Sequence, residues 1–201
     1  MNRLIPMKPT QNNRCRYLGQ RGIAALELAL ILPLMITMAF VIIDFGMLIQ
    51  ARLVVANLAR EGGSLASRDI QPAGNLITML QAGASPLNLS SNGRIYIWRI
   101  RAGATKKSPD PFIDQTLSAN GGGLSVASSI GSGKPNLGLS VPLYDHLEFD
   151  DSSGKNTADI SEVTVVEVFY KYTPATPISK FIPGLLSDSD GGTIISSKAV
   201  F

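Results

Sequence analysis

The sequence predicts an α+β protein: a long amino-terminal transmembrane and amphipathic helix, followed by a small antiparallel β-sheet domain. Three observations carry this. From Ile23 to Ile49 the chain is strongly apolar and carries charge only at Glu27 and Asp44. Apolar residues then recur every three or four positions from Leu48 to Leu65, as on one face of a helix. Further on, residues 94–101 and 162–173 alternate in the manner of strands.

The chain has 201 residues, 45% apolar and 16% charged, so it is neither disordered nor a basic nucleic-acid binder by composition. Its net charge of +3 is unevenly placed. Arg3, Lys8, Arg14, Arg16 and Arg21 put five positive charges and no negative one into residues 1–22. The remainder holds 13 basic and 15 acidic side chains, so the basic excess belongs to a leader. By the positive-inside rule that leader is cytoplasmic, and the carboxyl-terminal bulk lies across the membrane.

The transmembrane helix is assigned to residues 23–49. Its uncharged core, Leu28 to Ile43, is slightly short of a full span. Asp44 as a snorkelling or interfacial side chain extends it to roughly 20 residues, about 30 Å of helix. Pro33 is tolerated in a membrane helix where the freed carbonyl finds another partner. Glu27 is costly against lipid and is expected either to pair and act or to lie just under the headgroups. A soluble core helix fits poorly, because the run is too long and too heavily flanked by positive charge. A removable secretory signal also fits poorly. The apolar part exceeds 7–15 residues, and a continuing helix follows in place of a small-residue cleavage site.

Residues 50–68 continue as an amphipathic helix. Leu48, Ala51, Val55, Leu58, Gly62 and Leu65 form its apolar stripe, and Gly62-Gly63 is a weak or close-packing point. Residues 69–201 form an exported α/β region. Pro72 opens a short helix to about Gln81, ended by Gly83. Arg94 to Arg101 is a strand with Tyr96 and Trp98 on one face. Residues 102–140 read as a long Gly/Ser-rich loop with a short strand near Leu124 to Ile130. Glu162 to Thr173 is the clearest strand, with Glu167 and Lys171 marking its wetter face. Pro174 and Pro177 end it, a partly hydrophobic loop runs through Phe181-Ile182-Pro183-Gly184, and Thr193 to Phe201 returns as a last strand. The result is a helix laid across a three- or four-stranded sheet.

Chemistry-bearing constellations are weak. Gly131-Ser132-Gly133-Lys134 is followed by Pro135 and lacks the phosphate-loop pattern. The acidic turns Asp145 to Gly154 and Ser187 to Gly192 lack the calcium-loop pattern and read as solvated turns. His146 has no credible nucleophile or second ligand beside it and reads as a surface residue. Asn88-Leu89-Ser90 is a chance-level glycosylation sequon. Cys15 lies in the leader and the exported part has no cysteine, so its domain is held by packing. No catalytic, cofactor or metal site and no nucleic-acid partner is expected, and the chain does not read as an enzyme.

Gln20-Arg21-Gly22-Ile23-Ala24-Ala25-Leu26-Glu27, the apolar helix with Pro33, Asp44-Phe45-Gly46 and Asn57-Leu58-Ala59-Arg60-Glu61-Gly62 occur in that order. Together they resemble the TadE-like pseudopilin family of the tight-adherence (Flp) type IV pilus system, over about residues 20–68. Asp44 stands where glutamate is common in that family. The resemblance implies a pilin-like fold and cleavage of the leader by a prepilin peptidase between Gly22 and Ile23. Glu27 would then be the fifth residue of the product, placed to meet the amino group of a neighbouring subunit. It also implies helix features at Pro33, Asp44 and Gly46, and a minor pilin-like role in assembling or anchoring a pilus or related secretion apparatus. The implied partners are the peptidase, other pilin-like subunits, inner-membrane assembly proteins and membrane lipid. The implied place is the bacterial inner membrane, single-pass, with the carboxyl-terminal domain periplasmic or exported with the pilus. TadG-like relatives are longer, and Asp150-Asp151-Ser152-Ser153 lacks the D-x-S-x-S spacing of their metal-dependent site. The alternative is an uncleaved, membrane-anchored periplasmic binding or scaffold protein.

Overall fold

The computed structural model describes residues 16–69, 71–149, 158–177 and 192–201, with side chains from residue 22 onward. The basic leader up to residue 15, the 181–184 loop, half of the first acidic turn and most of the second lie outside the described residues. The chain divides into two units, Met1–Ile43 and Asp44–Phe201. It is α+β, a long apolar amino-terminal helix followed by a small antiparallel sheet.

Helix α1 spans Arg16–Ser67 and contains Pro33. Within the first unit the side chains from residue 22 to 39 are all exposed. The Thr37 hydroxyl donates to the Pro33 carbonyl at 2.8 Å, an added bond one turn beyond the ring.

In the second unit α1 changes character. Asp44, Leu48, Ala51, Val55, Leu58, Ala59, Gly62, Gly63 and Ala66 are buried, at spacings that keep one stripe on one face. The two glycines let neighbours come close. A Cβ on Gly62 would lie 2.8 Å from Leu80 Cδ1, and one on Gly63 would run into the Phe201 ring. Helix α2, Ala73–Gly83, buries Leu76, Ile77 and Leu80 in the same core. A four-residue turn, α3 (Leu89–Asn92), is capped by Asn88, whose side chain accepts from the Ser91 N–H at 3.2 Å.

The strands are β1 (Gly93–Arg101), β2 (Phe112–Ile113), β3 (Ala119–Gly121), β4 (Glu162–Tyr172) and β5 (Thr193–Val200). They form one antiparallel sheet in the order β2-β1-β4-β5, with β3 also on β1. The register sets Ile97 opposite Val166 and Val166 opposite Ala199. The sheet has five strands where three or four were expected, because β2 and β3 are too short to show a period.

Both faces of the sheet are covered. Ile95, Ile97, Val166, Val168, Tyr172, Ile195 and Ala199 pack with α1 and α2. On the other face Ile100, Val163 and Val165 pack with Ile130, Leu139 and Leu147. Leu147 belongs to a helix the periodicity did not suggest, α4 (Val141–Leu147), which starts after Ser140 with proline in its first turn. Asp145 and His146 therefore sit in a helix. His146 Nδ1 lies 3.1 Å from Asp159 Oδ2, with both side chains exposed.

Two expectations fail here. Residues 124–130 are not a strand; the short strand lies earlier, at β3, and the following chain is held by side chains. The Tyr96 hydroxyl donates to the Val126 carbonyl at 2.6 Å, and Trp98 Nε1–H donates to Ser128 Oγ at 2.8 Å. Tyr96 and Trp98 stack with centroids 5.8 Å apart, and Trp98 packs against the second core. Glu167 does not mark a wet face either; it is 2% exposed. Its carboxylate accepts from the Ser128 and Ser129 hydroxyls and from the Ser129 N–H, the latter at 3.1 Å. A loop some 39 residues away in sequence folds over the strand and supplies the donors that make this burial affordable.

Candidate anchoring and assembly segment

Gly22–Ser67 is the one described helix stretch long and apolar enough to cross a membrane, with a mean hydropathy of 2.5 in its most apolar window and none of that window buried. Apolar side chains left in water over this length are unfavourable by about 25 cal/mol per Å². One such helix is compatible with a single-pass membrane anchor.

Gly22, Ile23 and Glu27 sit together at its start. Ile23 and Glu27 are four residues apart and share a helix face, and all three residues are exposed. A Cβ added to Gly22 would meet nothing within 4 Å, so no packing among the described residues requires glycine there. Gly46, past the apolar stretch, is equally unconfined.

Asp44 is placed differently from an interfacial, snorkelling side chain. It is fully buried in the second unit. Its Oδ1 accepts from the backbone N–H groups of Ala175 at 3.0 Å and Thr176 at 3.1 Å, and its Oδ2 accepts from the Thr176 hydroxyl. The Tyr172 hydroxyl donates to the Asp44 carbonyl at 2.9 Å. The carboxylate thus satisfies two amides that lie just past β4, where Pro174 and Pro177 prevent ladder pairing. Burial, with the nearby Asp44 charge second, pushes the Tyr172 phenol above its usual range.

Arg99 was not singled out in the sequence, where it reads as one more polar member of an alternating strand. It is 4% exposed. One guanidinium nitrogen lies 2.6 Å from Asp69 and 3.7 Å from Glu162, and the other donates to the Ala66 carbonyl at 2.5 Å. It ties the carboxyl end of α1 to the sheet. The hydrogen bond that Arg99 donates to Asp69 chiefly raises the Arg99 pKa, against the opposing effect of burial. Among the described residues no group of three or more metal-ligating side chains comes together.

No significant match to the chain was found among curated proteins or among solved structures. A family model does match: residues 22–64 fit that of TadE-like protein. The match begins at the exposed glycine, takes in the whole apolar stretch and runs past Asp44 into the buried stripe. Over this segment the chain is similar to TadE-like proteins.

Proposed function

We propose that the chain is a minor pilin-like subunit that supports assembly or anchoring of a tight-adherence pilus or a related secretion apparatus. The observation that carries this reading is the coincidence at the start of the family match. Gly22, Ile23 and Glu27 are exposed on an apolar helix, and no packing among the described residues calls for glycine at position 22. A glycine without an internal reason suits recognition by another protein, here a prepilin peptidase acting on the cytoplasmic side. Cleavage leaves Ile23 as the new amino terminus. Glu27 then lies in a membrane-embedded stretch, where a carboxylate is stabilised by pairing with a cation, and the terminal amine of a neighbouring subunit supplies one. The basic leader keeps the amino terminus in the cytoplasm, and the sheet domain is periplasmic or exported with the pilus. The protein acts by packing and carries out no catalysis.

Mass spectrometry of the protein extracted from membranes of a strain that carries the pilus system tests this. A mature terminus at Ile23 is expected. A chain that keeps residues 1–22 in that strain rules out processing and leaves an uncleaved membrane-anchored scaffold.

A further inference from the structure

A cavity of about 330 Å³ opens between the carboxyl end of α1, the start of α2 and strand β1. Ala66, Leu76, Ile97 and Leu117 give it apolar walls, and Arg99 and Asp69 face it as a charged pair. We infer that this cavity is a binding site for a carboxylate carried on a short apolar stem, with Arg99 as the anchor and Asp69 as the resident carboxylate that the ligand displaces.

The two members of the pair are held very differently. Arg99 is buried, fixed by the Ala66 carbonyl, and cannot leave without stranding a charge in the core. The Asp69 side chain is 64% exposed and its backbone is in the left-handed region, at φ 51°. That conformation is unfavourable for a residue with a Cβ, although aspartate tolerates it better than most. The Asp69 carboxylate can swing into water at little cost, whereas the guanidinium stays and presents a fork suited to bidentate carboxylate binding. Helix α2 adds to the attraction. It begins at this cavity with Pro72 as its cap and no acidic residue in its first turn, so the positive end of its dipole lies beside the site. Glu162, 3.7 Å from Arg99, opposes a second anion. Exchange with Asp69, not simple addition, is therefore the mode of binding. The inference concerns the sheet domain alone and stands apart from the cleavage and assembly reading.

The test uses the full chain in detergent micelles, with methyl NMR signals of Leu76, Ile97 and Leu117 as reporters. The probes are butyrate, acetyl-Ala-Leu with a free carboxylate, and the same dipeptide as its amide. Saturable shifts are expected with a carboxylate and not with the amide. Asp69→Asn removes the competing charge and is expected to tighten binding about three- to fivefold, the worth of one largely exposed ion pair. Arg99→Lys keeps the charge, loses the fork and is expected to abolish the shifts; if it does not fold, Asp69→Asn decides alone. Butyrate binding as well as the dipeptide identifies a free acid as ligand, and binding of the dipeptide alone identifies a polypeptide end. No saturable shift in either the unaltered chain or Asp69→Asn, an equal response to the amide, or an unchanged affinity in Asp69→Asn overturns the inference.

Discussion

Thr176 lies 132 residues beyond Asp44, yet its backbone N–H and its hydroxyl both donate to the Asp44 carboxylate. With the Ala175 amide and the Tyr172 hydroxyl, this joins α1 to the chain leaving β4 by polar bonds at a place where prolines exclude a strand. Replacing Asp44 with Ala leaves two amides without their acceptor. A loss of about 2–3 kcal/mol in unfolding free energy is expected, the scale of hydrogen bonds to a charged group. Hydrogen exchange at Ala175 and Thr176 should speed up in that variant while exchange in β1 and β4 changes little. Unaltered exchange at both amides would contradict the arrangement.

Glu167 holds residues 128 and 129 against the sheet by side-chain and backbone donors. In Glu167→Ala the two serines lose their shared acceptor, and Ser128 still receives Trp98 Nε1–H. Limited proteolysis should then cut within residues 124–134 well before the rest of the domain. A stability loss of about 2 kcal/mol is expected from leaving buried donors unpaired. A protease pattern unchanged from the native one would show that the loop is held by other contacts.

Gly62 faces Leu80 and Val166 so closely that a side chain there would force both to shift. Gly62→Leu overpacks the core and should cost about 1–3 kcal/mol, whereas Gly46→Ala, where a Cβ meets nothing, should be neutral or slightly stabilising. Thermal melts of the two variants side by side test this directly. A neutral Gly62→Leu would mean that α1 can move off the sheet without loss.

Burial raises the Tyr172 and Tyr170 phenols above their usual range. The sign follows from linkage: the stability tied to the un-ionised phenols is complete below the unfolded value near 10, and is lost as pH rises through the higher folded values. Unfolding midpoints should therefore fall steeply above about pH 10. Tyr172→Phe should flatten that fall, despite losing the bond to the Asp44 carbonyl at neutral pH. A steepness identical to that of the native chain would place the alkaline sensitivity elsewhere.

For the assembly reading, Gly22→Leu should abolish the mature terminus. Glu27→Ala should leave cleavage largely intact and reduce piliation, read by mass spectrometry and by electron microscopy of cells. Normal piliation by a cleaved Glu27→Ala protein would remove the proposed role of that carboxylate.

Much of the fold is legible in the residues because it depends on period. The stripe from Leu48 to Ala66, the two long strands and the returning β5 each repeat a local spacing, and burial follows it. Asp44, Arg99 and Glu167 were not legible as buried groups. Their burial depends on Thr176, Asp69 and Ser128–Ser129, each dozens of residues or more away, and no local pattern records such pairings. The short strands β2 and β3 and the seven-residue α4 offer too few turns or alternations to show a period. Gly22, Ile23 and Glu27 were legible as a group only through the family spacing, since all three are exposed among the described residues.

One consequence concerns membrane thickness. With Asp44 committed to the folded unit, the stretch free of charge is Leu28 to Ile43. Sixteen residues of helix span about 24 Å, against about 30 Å for a typical hydrocarbon layer. Serving as the membrane anchor proposed above, a charge-free stretch this short would be relieved by local thinning of the bilayer or by company from other helices, and not by tilting. Hydrophobic mismatch therefore favours clustering of the anchor in thick bilayers and its dispersal in thin ones.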